Sequence, residues 1–327
     1  MQIKKKLKER VEVISVGEAT AEIFRKDVDQ SLSQPADFIG PFASGAPAIF
    51  ADTLAKLGCP SGFVGPIGDD DFGRAILSKL NQDGVDTSQV RVFSDHTTGT
   101  AFTTYFSSGE RKFLYHLRHA APGQFSPQQV RGEYFSQAKF LHLTGNVLAM
   151  SELSWHACRK AVKIVTEGDG QVSFDPNLRP DLMSIGKIHT LCDPFIRVTN
   201  VLLPTAQEIQ MLTGMEKIRD ACRKVLEQGV KIVALKQGKE GSTVFTQTRE
   251  IHAPAFEVEE VDPTGAGDCY DAGFIFGLLQ GWRLEKTAKF ANAVGALAVI
   301  KRGAMEGVVS LNSVIRFMEK QTRNHKK

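Results

Sequence analysis

Short runs of apolar, β-branched residues alternate with longer segments of helical periodicity along most of the chain. Such alternation predicts strands joined by crossover helices, and hence a largely parallel sheet covered on both faces. The clearest strands are expected at residues 11–16, 139–143, 172–174, 200–203 and 231–235. Between them the pattern predicts helices near 46–57, 72–82, 151–167, 206–213, 217–228, 265–280 and 283–300. Pro47 stands early in the first of these and Gly58 closes it, because proline suits a helix's first turn and glycine its end. Ile49, Phe50, Leu54 and Leu57 supply its apolar side.

Two stretches, 19–42 and 97–118, break the rhythm. In the second, residues 100–106 and 112–115 read as strands on either side of Ser107-Ser108-Gly109-Glu110, a polar, glycine-containing turn, so a hairpin is expected. The 327 residues, 42% hydrophobic and 24% charged, suit one large soluble domain at about 11–322, with basic tails at 1–10 and 323–327. The net charge is only +3, and much of it sits in Lys4-Lys5-Lys6, Arg10, Arg323, Lys326 and Lys327. No basic stripe interleaved with aromatics is visible on a folded element, so no nucleic-acid partner is expected. Cys59, Cys158, Cys192, Cys222 and Cys269 lack any Cys-x-x-Cys spacing, which suggests neither zinc nor a disulfide framework and points to a reducing cytoplasm. No apolar run approaches membrane-spanning length.

The most informative segment is Asp262-Pro263-Thr264-Gly265-Ala266-Gly267-Asp268-Cys269-Tyr270-Asp271-Ala272-Gly273-Phe274. Two glycines around one alanine form a turn whose amides can converge on an anion, and an acid follows where a helix should begin. A carboxylate repels phosphate, so Asp268 makes chemical sense as a base taking a proton from a hydroxyl that attacks phosphorus. A glycine-rich strand-to-helix turn with a capping Asp accounts for the same spacing.

This segment resembles the C-terminal signature of the ribokinase-like sugar kinases, the PfkB carbohydrate-kinase family. The likeness runs in order through Gly17-Glu18, Gly45-Ala46-Pro47, Gly65-Pro66-Ile67-Gly68-Asp69, Asp71-Phe72-Gly73, Asp175-Pro176-Asn177-Leu178-Arg179-Pro180 and Lys236-Gln237-Gly238. The resemblance implies a three-layer α/β/α fold with a small β-sheet lid, formed by the two irregular stretches, over the sugar. It also implies a sugar kinase using ATP and Mg²⁺, with Asp268 as base and the Gly265, Ala266 and Gly267 amides holding the transferring phosphoryl group.

By the same resemblance, Glu22, Gly45 and Ala46 meet the sugar, while Lys236, Gly238, Gly241 and Asn292 lie on the nucleotide side. Thr205 and Glu208 occupy the place of the family's Asn-x-x-Glu, implying an indirect Mg²⁺ contact at Glu208. Its other reading is a first-turn Glu favoured by the helix dipole. Asp262 and Thr264 are candidates for a monovalent cation, potassium, or for a hydrogen-bonded turn. Ser44 and Ile49 replace the family's Gly and Asn, and Ile49 cannot hydrogen-bond a sugar hydroxyl.

The Asp175–Pro180 block resembles the fructokinase and 2-keto-3-deoxygluconate kinase branch in particular. There Arg179 is implied to meet a sugar-acid carboxylate, as its planar fork allows, unless it pairs with Asp175 or Asp181. Arg118, after the hairpin, is a second candidate. The expected activity is transfer of the ATP γ-phosphate to a primary hydroxyl of a ketose or keto-sugar acid. A nucleoside kinase, or a sugar-binding relative of weak activity, remains the alternative. Lid strands with open edges favour a homodimer. No histidine pair shows metal-ligand spacing, and Tyr270, Phe274 and Phe276 read as core.

Overall fold

The computed structural model describes residues 10–178, 184–308 and 310–324. Its central sheet has eight strands in the order Glu250–Ala253, Ser242–Phe245, Ile232–Lys236, Val201–Leu202, Gln171–Asp175, Phe140–Thr144, Val13–Val16 and Ser61–Val64. The six strands from Ile232–Lys236 to Ser61–Val64 are parallel, and the other two continue the sheet antiparallel at one edge. The fold class is the α/β/α arrangement the alternating pattern predicts.

Side-chain alternation along the strands divides two apolar cores. Val13 and Val201 enter one, and Ile14, Val16 and Leu202 enter the other. Helices Ala46–Lys56, Ala266–Leu279 and Leu284–Ala298 cover the first face. Glu152–Glu167, Ile185–Ile196, Ala206–Thr213 and Ile218–Glu227 cover the second. Tyr270, Phe274 and Phe276 are buried in the first core. Ala266–Leu279 is apolar on nearly every side because it lies between the sheet and two neighbouring helices.

The sequence pattern does not yield helices Ile185–Ile196 and Leu311–Asn324. Pro194 interrupts the periodicity of the first, and the second is amphipathic but rich in charge. The antiparallel edge pair also escapes it, since both strands are short.

A second sheet of four strands, ordered Phe38–Ser44, Thr20–Arg25, Gly99–Tyr105 and Arg111–His116, stands over the ends of the parallel strands. The last two form the expected hairpin, paired from Thr100 with His116 to Tyr105 with Arg111. All five cysteines are buried and free. Among the described residues no helix is long and apolar enough to cross a membrane.

Candidate active site

In a parallel sheet the side chains just beyond the C-terminal strand ends converge on a shared crevice. Here those ends supply Glu18, Asn146, Asp175, Asn177, Thr205, Lys236 and Gly238. The lid and the 263–268 segment close the rest of a cleft of about 400 Å³. Of the residues singled out in the sequence, Glu22, Gly45, Ala46, Thr205, Glu208, Lys236, Gly238, Thr264, Gly265, Ala266, Gly267 and Asp268 all line it.

The cradle forms because Gly265 adopts a left-handed conformation, φ 79°, immediately before helix Ala266–Leu279. A Cβ there would meet that of Ala304 at 2.8 Å, so both the torsion and the space demand glycine. Gly265 brings no capping side chain, the Ala266 amide turns back on the Pro263 carbonyl at 3.4 Å, and residues 265–268 at the helix start line the cleft. Asp268 stands in the first helical turn, 8% exposed, within the same cleft. The helix dipole favours its ionised form and any phosphoryl anion beside it.

Lys236 provides the cation at this end. Its Nζ lies 3.0 Å from Asp175 Oδ2 and 3.1 Å from Asp271 Oδ2. A Cβ placed on Gly267 would be 3.5 Å from the same nitrogen, so the ammonium sits beside the cradle. Burial opposes its charge, but Asp175, Asp271 and Glu208 outweigh burial and hold its pKa above the ordinary lysine value. Burial pushes the Asp175 carboxyl upward, yet Lys236 prevails and holds it below the usual range. The Asp271 carboxyl, buried and accepting from the ammonium at both oxygens, is pushed well up by desolvation.

Glu208 is raised by burial and by the nearby Asp175 charge. Its Oε1 accepts from the Leu178 amide at 2.9 Å, and its Oε2 accepts from the Thr205 amide at 2.8 Å and the Thr205 hydroxyl at 2.9 Å. The arrangement is a capping box that also ties the helix start to the loop after Asp175. Among the described residues no cluster of three acids, histidines or cysteines could enclose a metal. Glu208 nevertheless keeps its carboxylate on the cleft lining, where it would be available to a water of a Mg²⁺ carried on nucleotide phosphates.

At the other end, Glu22 is buried and accepts from Ser44 Oγ at 2.7 Å and Thr103 Oγ1 at 2.9 Å. Ser44 is thus a partner that orients this acid. Ile49 forms an apolar wall of the cleft, 2% exposed. On the lid, Arg111, Phe113, Tyr115 and Leu117 face inward at alternate positions, and the Phe113 and Tyr115 rings stack with centroids 5.5 Å apart.

Several sequence candidates fall elsewhere. Arg118 is exposed and does not line the cleft; strand alternation puts Arg111 there instead. Arg179 lies outside the described residues. Asn292 is buried, with its amide donating to the carbonyls of Ala253 and Pro254 at 2.8 and 3.0 Å, and Gly241 sits against the Ala253 carbonyl. Asp262 accepts from the Tyr105 hydroxyl, the Thr264 amide and the Gly303 amide. Sequence reasoning missed Arg111, Asn146, Asp271 and Tyr105 as site residues. The alternation of the hairpin and the strand-end rule would have found the first two.

Known proteins with similar sequences and folds give the family. Residues 11–310 match the family described as pfkB family carbohydrate kinase, and the chain belongs to that family. It is 25% identical over 325 residues to a 5-dehydro-2-deoxygluconokinase of Clostridium perfringens, covering 97% of this chain and 96% of the relative. It is 29% identical over 322 residues to Fructokinase-1 of Oryza sativa subsp. japonica, covering 94% and 97%. Among solved structures, an E. coli protein provisionally described as a ribokinase II, in complex with ATP and Mg²⁺, is 35% identical, with a TM-score of 0.90 over 95% of this chain and 99% of that one. The protein is a sugar kinase.

Proposed function

We propose that this kinase transfers the γ-phosphate of Mg-ATP to the primary hydroxyl of a keto-deoxy sugar acid. The observation that carries the reading is the meeting of Asp268, the Gly265–Gly267 amides and the Lys236 ammonium in one cleft beneath a lid. Asp268 takes the hydroxyl proton as the alcohol attacks in line, and the amides and ammonium offset charge on the phosphoryl oxygens. Mg²⁺ supplies further neutralisation when bound, with Glu208 orienting one of its waters. The lid excludes water, which otherwise competes for the phosphoryl group.

Two features favour the deoxygenated acid. Ile49 offers no hydrogen bond where a hydroxyl would need one, and Arg111 puts a guanidinium on the inner face of the lid. Relatives named for a 5-dehydro-2-deoxygluconate substrate fit the same chemistry. Fructose is the second candidate, since other relatives are named fructokinase.

On the outer face of the lid Phe38 and Leu114 are 42% and 48% exposed, and this face supports pairing with a second copy, testable by light scattering. Five reduced, buried cysteines suit a cytoplasmic enzyme. The activity test is ADP release with 2-keto-3-deoxygluconate, 5-keto-2-deoxygluconate, fructose, ribose and nucleosides. The keto acids should give the highest kcat/KM. Turnover confined to nucleosides, or tight ATP binding with no turnover on any of them, would refute the assignment.

A further inference from the structure

Tyr105 ends the inward-facing row of strand Gly99–Tyr105, opposite Arg111. Its ring stacks on Phe24, centroids 6.0 Å apart and planes 13° from parallel, and its carbonyl accepts from the Asp29 amide at 2.9 Å. The ring is therefore fixed to the lid at both backbone and face. Its hydroxyl leaves the lid altogether. It donates to Asp262 Oδ1 at 2.6 Å and lies 2.8 Å from Thr264 Oγ1.

A phenol has one proton to give. The shorter contact to the carboxylate takes it, so the Thr264 hydroxyl donates back into the phenol oxygen. Asp262 is in turn pinned by two amides, from Thr264 at 3.0 Å and Gly303 at 2.9 Å. Thr264 immediately precedes the left-handed Gly265 that opens the cradle. A continuous set of hydrogen bonds thus runs from the lid sheet to the torsion on which the anion-binding amides depend.

We infer that Tyr105 is a positioning residue through which the lid holds the cradle in its working shape, so that seating of the lid and ordering of the anion-binding amides are one event. This rests on the kinase reading above for its consequence in turnover. It does not rest on that reading for the structural tie itself. Packing alone does not account for the arrangement, because the Phe24 stack needs only the ring, whereas the cradle is reached only by the hydroxyl.

The variant that separates the two is Tyr105→Phe, which keeps the ring and removes one oxygen. In the full-length protein without ligand, hydrogen exchange should be several-fold faster in the peptide spanning 262–268 than in the wild type, with exchange in the Phe24 strand and the thermal midpoint nearly unchanged. With a sugar that the wild type phosphorylates, kcat should fall about tenfold, equal to about 1.4 kcal/mol of lost transition-state stabilisation, while KM for sugar and ATP stays within about twofold. Combining it with Thr264→Val should cost less than the sum of the two single changes. Unchanged exchange at 262–268 together with wild-type kcat overturns the inference. If no sugar is phosphorylated even by the wild type, but the exchange difference appears, the kinase reading fails and the tie between lid and cradle stands.

Discussion

Removing the Lys236 charge tests the electrostatics of the cleft floor. The side chains of Lys236, Asp175 and Asp271 are 11%, 4% and 0% exposed, and the ammonium lies 3.0 Å and 3.1 Å from the two acids. At an effective dielectric near 20, an ion pair at that separation carries about 5 kcal/mol of attraction. Lys236→Met keeps the chain length and strands the acids. Asp271 escapes by holding a proton, since burial already pushes its carboxyl well up, so the uncompensated charge is that of Asp175. Stranding one buried charge costs about 3–5 kcal/mol.

The pH dependence follows from the Asp175 shift. Its folded pKa lies below the usual carboxylate value, so the pair contributes stability above about pH 4 and loses it as pH falls further. Without Lys236, burial raises that carboxyl instead, and the cost of the variant shrinks from pH 7 towards pH 4 as Asp175 takes up a proton. Urea unfolding at pH 7, 5.5 and 4.5 measures this, with Lys236→Met/Asp175→Asn expected to recover most of the loss. A penalty below about 1 kcal/mol at pH 7, or one that does not change with pH, would refute the argument.

Elsewhere, Asp52 is fully buried beside Lys56 at 2.7 Å, and burial raises its pKa to about 8. A raised folded pKa favours the fold at low pH and loses that contribution as pH climbs from about 4 towards 8. Asp52→Asn, which leaves Lys56 paired with Asp83 at 3.1 Å, should therefore gain on the wild type by up to about 1.4 kcal/mol per pH unit across that window. Equal urea midpoint differences at pH 5 and pH 8 would count against it. Thr205→Ala removes the hydroxyl of the capping box and should cost about 1 kcal/mol, read from the urea midpoint, and should lower Mg-ATP turnover because Glu208 Oε2 loses one of its two donors. No change in either quantity would remove Thr205 from the account.

The parallel core was legible because its strands are short β-branched runs and its helices carry end signals such as Pro47 and Gly58. Asp268 and the cradle were legible because the whole unit is one linear segment at a helix start. The lid arginine was not. Arg118 looked suitable by residue type, but Arg111, Phe113, Tyr115 and Leu117 occupy the inward parity and Arg118 does not. Likewise Asp175, Lys236 and Asp271 come from two strand ends and a helix that meet only when the chain folds, so nothing local marks them as a cluster. The Tyr105 bridge to Asp262 and Thr264 is hidden for the same reason.

The account turns on a carboxylate at the helix start acting on an alcohol, and Asp268→Asn addresses it most directly. The substitution keeps the side chain's size and its place in the first turn while abolishing its basicity. Turnover of the best sugar should fall by at least about 10²-fold, with Mg-ATP binding by calorimetry held within a few-fold. An Asp268→Asn enzyme that phosphorylates sugar at the wild-type rate would contradict the central claim.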